Sequence, residues 1–179
     1  YSPAPVVTPE VHARVMREVV NPTVQGMIAD GVPFTGFLYA GLMIDAEGRP
    51  KTLEFNTRMG DPETQPILMR LKSDLVDVLL AATAGKLDEV ELQWDRRVAL
   101  GVVLAAGGYP LAPKKGDPIT GLPKPADDVQ VFHAGTVADG AQLRTAGGRV
   151  LCVTALADSV RQAQARAYDV ARGIHFEGM

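Results

Sequence analysis

The chain has 179 residues, long enough to bury a real core in one large domain or two small ones. Apolar residues make up 46% and charged residues 22%, and the net charge of −3 is spread over both signs, so nothing points to a nucleic-acid or polyanion surface. The apolar runs fall far short of the ~20 residues that cross a bilayer, no secretory signal is visible, and the single cysteine, Cys152, fits a reducing cytoplasm.

The first predicted element is a helix. Thr8 caps its free N–H groups, Pro9 suits the first turn, Glu10 complements the positive helix end, and Val11, Val15, Met16 and Val19 make one apolar face. Pro22 predicts a break or kink before a second helical stretch that ends at Gly31. TGFLYAGLMID reads as a strand, AEGRP as a turn with Gly48 at an easy positive φ, and KTLEFN as the antiparallel return. Alternation then puts Thr52, Glu54 and Asn56 on one face, with Leu53 and Phe55 on the other. Asp61-Pro62-Glu63 predicts a capped helix start before TQPILMRL, and Ser73-Asp74 caps LVDVLLAATAG, with Gly85 as its stop.

Near residue 95 the character changes. Strands and glycines follow in VALGVVLAAGGYP, VQVFHAGTV and GGRVLCVTALA, and the last helix, from 158, carries Val160, Ala163, Ala167 and Val170 on one side. A domain boundary is placed there, dividing 1–95 from 96–179. The chain opens YSPAPVV without an initiator Met and ends HFEGM without a closing element, which reads as a piece of something longer.

The densest chemistry lies in KTLEFNTRMGDPETQ. Glu54 and Asn56, two apart on a strand, offer an anionic and a neutral oxygen side by side. That is a hard-oxygen pair suited to Mg²⁺, which leaves other coordination positions to water or phosphate. Arg58, just past the strand, has a planar fork that suits a phosphate or carboxylate, and the helix expected near Pro62 would add backbone N–H groups. Taken alone, Glu-x-Asn on an exposed strand is commonplace, and Asp61 and Glu63 read as helix-start acids.

The string as a whole resembles a known family. TGFLYAGLMID, LEFNTRMGDPETQ and LKSDL, followed by LGVVLAAGGYP, KGDPITGL, VFHAGT and GGRVLCVTAL, run in order as in the phosphoribosylamine–glycine ligases, members of the ATP-grasp group. The resemblance implies an α/β (α+β) architecture. The second half of an ATP-grasp domain, with antiparallel strands and flanking helices, would be followed by a small mixed β-sheet domain under a covering helix.

It also implies ATP as co-substrate, Mg²⁺ or Mn²⁺ held by Glu54 and Asn56, and Arg58 steadying the transferring phosphoryl group or the glycine carboxylate. Asp61 and Glu63 would contact a substrate amine, and Ile44 and Leu53 would belong to the apolar floor under adenine. The implied partners are small molecules (ATP, glycine, 5-phosphoribosylamine), with no nucleic acid and no membrane. The intact protein is expected to be a cytoplasmic monomer. The 179 residues alone are expected to be inactive and able to self-associate through exposed apolar surface.

Two departures are visible. Leu42 stands where many ATP-grasp enzymes have a further acidic ligand, with no carboxylate before Asp45, an absence these ligases share. Pro113 stands where relatives often have Tyr. A non-catalytic nucleotide- or metal-binding piece stays open, as does a different ATP-grasp carboxylate–amine ligase, although GDPETQ and GGYP…HAGT weigh against the latter. Cys152 reads as a buried inert thiol, His133 as a hydrogen-bonded strand residue, and His12 and His175 as surface or capping groups. Lys114 and Lys115 read as a solvated turn, with a ribose-phosphate contact as the alternative.

Overall fold

The computed structural model describes residues 1–124 and 126–179, which form two compact units. One comprises Pro3–Gly60 and Lys72–Gln93; the other comprises Tyr1–Ser2, Asp61–Leu71 and Trp94–Met179. The expected single cut near residue 95 falls beside one junction, yet Asp61–Leu71 folds with the later residues.

The first unit starts with α1, Pro9–Val15, capped by the Thr8 side chain, which accepts the Val11 amide. Pro22 does not break the helical path. A π-helical turn, Met16–Val20, precedes it and runs directly into α2, Asn21–Ala29, with the Asn21 amide reaching back to the Met16 carbonyl. Proline offers no N–H and crowds the carbonyl four residues back, and one widened turn relieves both problems. β1, Tyr39–Ile44, and β2, Pro50–Asn56, form an antiparallel hairpin. Its turn is tied by Asp45, whose Oδ1 accepts the Glu47 and Arg49 amides and whose Oδ2 takes Arg49 Nε at 2.8 Å. In α4, Leu75–Thr83, the Asp74 carboxylate caps the Val76 and Asp77 amides, and Gly85 ends the segment at φ 69°.

In the second unit, α3, Thr64–Arg70, follows Glu63, whose side chain makes no capping hydrogen bond to the helix. The capped start expected at Asp61-Pro62-Glu63 is therefore not formed; the Asp61 carboxylate is engaged by Gln65 and Arg149 instead. A sheet of order β3-β7-β4, made of β3 (Val98–Ala105), β4 (Val129–His133) and β7 (Arg149–Ala157), is antiparallel throughout, where a mixed sheet was expected. The run VQVFHAGTV is two strands, not one. β4 stops at His133, and β5, Thr136–Asp139, turns away to pair with β6, Gln142–Thr145. The cause is Gly135, whose amide bonds the Arg149 carbonyl and whose absent side chain lets it lie on Gly147.

β7 is buried along almost its whole length because it is covered on both faces. α5, Val160–Ala171, capped by Ser159, packs on β3 and β7 through Ala163, Ala167 and Ala171, and α3 packs on the same two strands. Pro66 of α3 lies against Gly101, beside Cys152 and Thr154. Burial pushes the Cys152 thiol up, opposed by its contact with Thr154, as suits an inert thiol. Arg70 explains why 61–71 belongs here: its guanidinium donates to the carbonyls of Asp95 and Arg97 and to Ser2 Oγ, and it stacks over Trp94 at 5.8 Å. His175 lies beyond α5, in a β-bridge with Thr120. No helix among the described residues is long and apolar enough to cross a membrane.

One ion pair gives a pH prediction. Arg166 Nε and Nη2 reach both oxygens of Asp128, at 2.9 and 3.2 Å, and this bonding holds the carboxyl below its usual range. A depressed carboxylate adds stability above its unfolded pKa of about 3.9, and that contribution fades as pH falls through the folded value. The difference in melting temperature between the protein and D128N should therefore be small and constant at neutral pH and shrink in acid below about pH 4. A difference that grows in acid would contradict the assignment.

Candidate functional site

Hairpin register places the first group of site residues. Gly41 faces Glu54 and Leu42 faces Thr52, so Leu53 is an extra, bulged residue on β2, and Tyr39 faces Asn56. Beyond the bulge Glu54 and Asn56 remain two apart, and their side chains converge: Asn56 Nδ2 donates to Glu54 Oε1 at 3.0 Å. A Cβ at Gly41 would sit 3.2 Å from Glu54 Cγ, so the glycine leaves room for the carboxylate to lean across the ladder. Phe55, with the opposite parity, helps line an apolar cavity of about 200 Å³ with Met27, Phe34 and Leu38.

These two side chains fit a hard cation. Glu54 is exposed and Asn56 half-buried, and turning the Asn56 amide about its last torsion presents its carbonyl oxygen beside the carboxylate. Among the described residues no group of three or more His, Cys, Asp or Glu could hold a metal ion. Glu54 and Asn56 would supply two ligands here, and others would be water or phosphate oxygens.

The remaining hairpin candidates sit less close. Arg58 Nη1 donates to the carbonyl of Met59 at 3.0 Å, which leaves its other donors available. Ile44 pairs with Pro50 at the far end of the ladder, whereas Leu53 is the bulged residue and is 66% exposed, so the register keeps the two apart. Asp45, the first carboxylate after Leu42, is held below its ordinary pKa chiefly by the Arg49 amide and serves the turn.

Asp61 and Glu63 belong to the other unit. Asp61 Oδ1 accepts Gln65 Nε2 at 3.2 Å, and Oδ2 accepts Arg149 Nη2 at 3.1 Å. Sequence reasoning missed Arg149 and Gln65. The one available signal was an arginine opening an otherwise apolar strand after a Gly-Gly pair. The positioning of Arg149 depends on a second bulge: Leu104 faces Leu151 and Ala105 faces Arg149, which leaves Val150 as the extra residue. Strict alternation would align Arg149 with Leu151 and Val153 in the core under α5, and the extra residue turns it toward Asp61 instead.

The GGYP loop packs on the same end of the sheet: the Ala106 amide bonds the Gly148 carbonyl, and Ala112 and Lys114 amides close the turn onto Gly108 and Gly107. Lys114 Nζ lies 3.7 Å from Glu177. His133 Nδ1 lies 3.2 Å from Thr136 Oγ1, the hydrogen-bonded role expected of it.

The solved structures that match this architecture define its class. The crystal structure of a phosphoribosylamine–glycine ligase from Thermotoga maritima superposes with a TM-score of 0.83 at 38% identity, covering 98% of this chain and 43% of that one. The L-amino acid ligase from Bacillus licheniformis, at 19% identity and a TM-score of 0.63, shares the fold over 99% of this chain and 43% of its own. The mixed α/β fold with antiparallel sheets is that of the ATP-grasp ligases.

Two family models then match. The ATP-grasp (A) domain of phosphoribosylglycinamide synthetase covers residues 1–64, and the C domain of the same synthetase covers residues 99–179. The chain belongs to the phosphoribosylglycinamide synthetase family. Curated relatives include a phosphoribosylamine–glycine ligase of Ralstonia nicotianae, 64% identical over 178 residues, and one of Vibrio vulnificus, 62% identical over 180. The chain spans 42% of the length of each.

Proposed function

We propose that this chain forms the metal- and substrate-contacting portion of an ATP-dependent ligase that joins glycine to 5-phosphoribosylamine. In that reaction a glycine carboxylate oxygen attacks the γ-phosphorus of ATP and ADP leaves. The amine of phosphoribosylamine then attacks the acyl carbon, phosphate leaves, and glycinamide ribonucleotide remains. The observation that supports this reading best is the convergence of Glu54 and Asn56 on one strand face. They would hold Mg²⁺ or Mn²⁺, which when bound neutralises phosphate charge during transfer.

Glu54 supplies anionic charge at that position and Asn56 a neutral oxygen. Arg58 brings donors for a phosphoryl or carboxylate group, and Asp61 and Glu63 carry acidic groups for a substrate amine. Ile44 and Leu53 are proposed as apolar surface near adenine, Leu53 by virtue of its exposure. In domain terms, 1–95 is the later half of the ATP-grasp domain and 96–179 the C domain. The reading carries a cytoplasmic location and small-molecule substrates.

A comparison of two proteins tests it. A whole ligase in which these 179 residues replace the matching segment of the Ralstonia relative should release ADP dependent on both glycine and phosphoribosylamine. The 179 residues alone should release none, because part of an ATP clamp neither orients the γ-phosphate nor excludes water. A replaced ligase that uses another acid–amine pair would overturn the substrate assignment, and turnover by the 179 residues alone would overturn the division of labour.

A further inference from the structure

Asp61 and Arg149 are 88 residues apart in sequence, and the fold invests several features in bringing them together. The bulge at Val150 aims Arg149 out of the core. Three glycine-bearing loops then clamp its backbone. A Cβ at Gly135 would fall 2.6 Å from Gly147 Cα and 2.7 Å from the Arg149 carbonyl, and one at Gly148 would fall 2.5 Å from the Tyr109 ring. On the other side of Asp61, Gln65 turns its amide NH₂ to the carboxylate, which leaves Gln65 Oε1 buried without a hydrogen-bond partner.

A pair this exposed, with side chains 40% and 47% accessible, adds little to stability. Fixing the direction of the carboxylate is what the arrangement achieves. With one bond to each oxygen, Asp61 keeps further lone pairs for a cationic group.

We infer that Arg149 is a positioning residue that aims the Asp61 carboxylate at the α-ammonium of an amino-acid substrate. The inference rests on Asp61 contacting substrate, as proposed above, and it selects which amine. A carboxylate stabilises the charged form of a neighbouring amine. The attacking amine of phosphoribosylamine must be neutral to act as a nucleophile, so an anionic neighbour would work against it. The ammonium of glycine takes no part in bond making and is stabilised by the same charge. The geometry also separates charge from shape: one N–H···O bond joins the pair, so a lysine can reproduce it.

The test uses the whole ligase carrying this segment, with R149M, R149K, D61N and the double variant D61N/R149M. Steady-state KM for glycine, ATP and phosphoribosylamine is measured beside the melting temperature. R149M should raise KM for glycine about tenfold with KM for ATP within about twofold, and R149K should recover most of the loss. The double variant should be no worse than D61N, because Arg149 acts only through Asp61. A glycine KM unchanged in R149M but raised in D61N would overturn the positioning role while leaving Asp61 as a substrate contact. A glycine KM unchanged in D61N would overturn the reading of Asp61 itself. A rise confined to phosphoribosylamine would overturn the choice of amine. Should R149M fail to fold, R149K decides: glycine KM near that of the parent supports the inference, and a loss as large as that of D61N refutes it.

Discussion

Replacing Glu54 with alanine in the whole ligase is expected to lower turnover by about 10³-fold or more, because a metal ligand and its charge are worth several kcal/mol at a phosphoryl-transfer site. Folding should be nearly untouched. Glu54 is exposed, and its side chain bonds the partly exposed Asn56 amide, so its truncation leaves no buried orphan. Glu54→Gln, which keeps an oxygen and loses the charge, should fall between the two, and higher Mg²⁺ or Mn²⁺ should partly restore it. Initial-rate measurements across metal concentration would show this. Full activity of E54A at ordinary metal concentration would remove the ligand role, and a large drop in melting temperature would recast Glu54 as a structural residue.

The second large effect concerns stability. Leu151 is wholly buried, in the cluster with Val153, Ala163, Ala167 and Ile174, and Leu151→Ala should cost about 2–5 kcal/mol through lost burial and the cavity left behind. Against a typical total of about 5–15 kcal/mol, that is enough to move a denaturant midpoint visibly. Leu53→Ala, a substitution of the same size at a position 66% exposed, should stay within about 0.5 kcal/mol. Urea titration of the three proteins followed by circular dichroism makes the comparison. Equal losses at Leu151 and Leu53 would contradict the burial assigned to each.

What could be read from the chain before folding was local. Thr8 and Asp74 cap helices where expected, because a short polar side chain before an apolar helical face answers needs within three residues of itself. The hairpin was legible for the same reason, and so was the Glu54–Asn56 pair. Period-two alternation puts residues i and i+2 on one face whatever else happens, provided no bulge falls between them. Asp61 is the counterexample: it looks like a helix-start acid, and one of its two partners, Arg149, is 88 residues away.

The chain by itself determined the ordering of its elements, the hairpin, the oxygen pair on it and, through long ordered strings such as LEFNTRMGDPETQ, the family. Only the tertiary structure decided that 61–71 folds with the later residues, that VFHAGTV is two strands, and that Arg149 meets Asp61. Each of those outcomes turns on register or on close approach of distant backbone: bulges at Leu53 and Val150, a glycine at 135 resting on Gly147, and the Arg70 side chain gathering carbonyls from Asp95 and Arg97. A one-residue slip in a strand reverses every face beyond it, and nothing in the local residue pattern announces where the slip occurs.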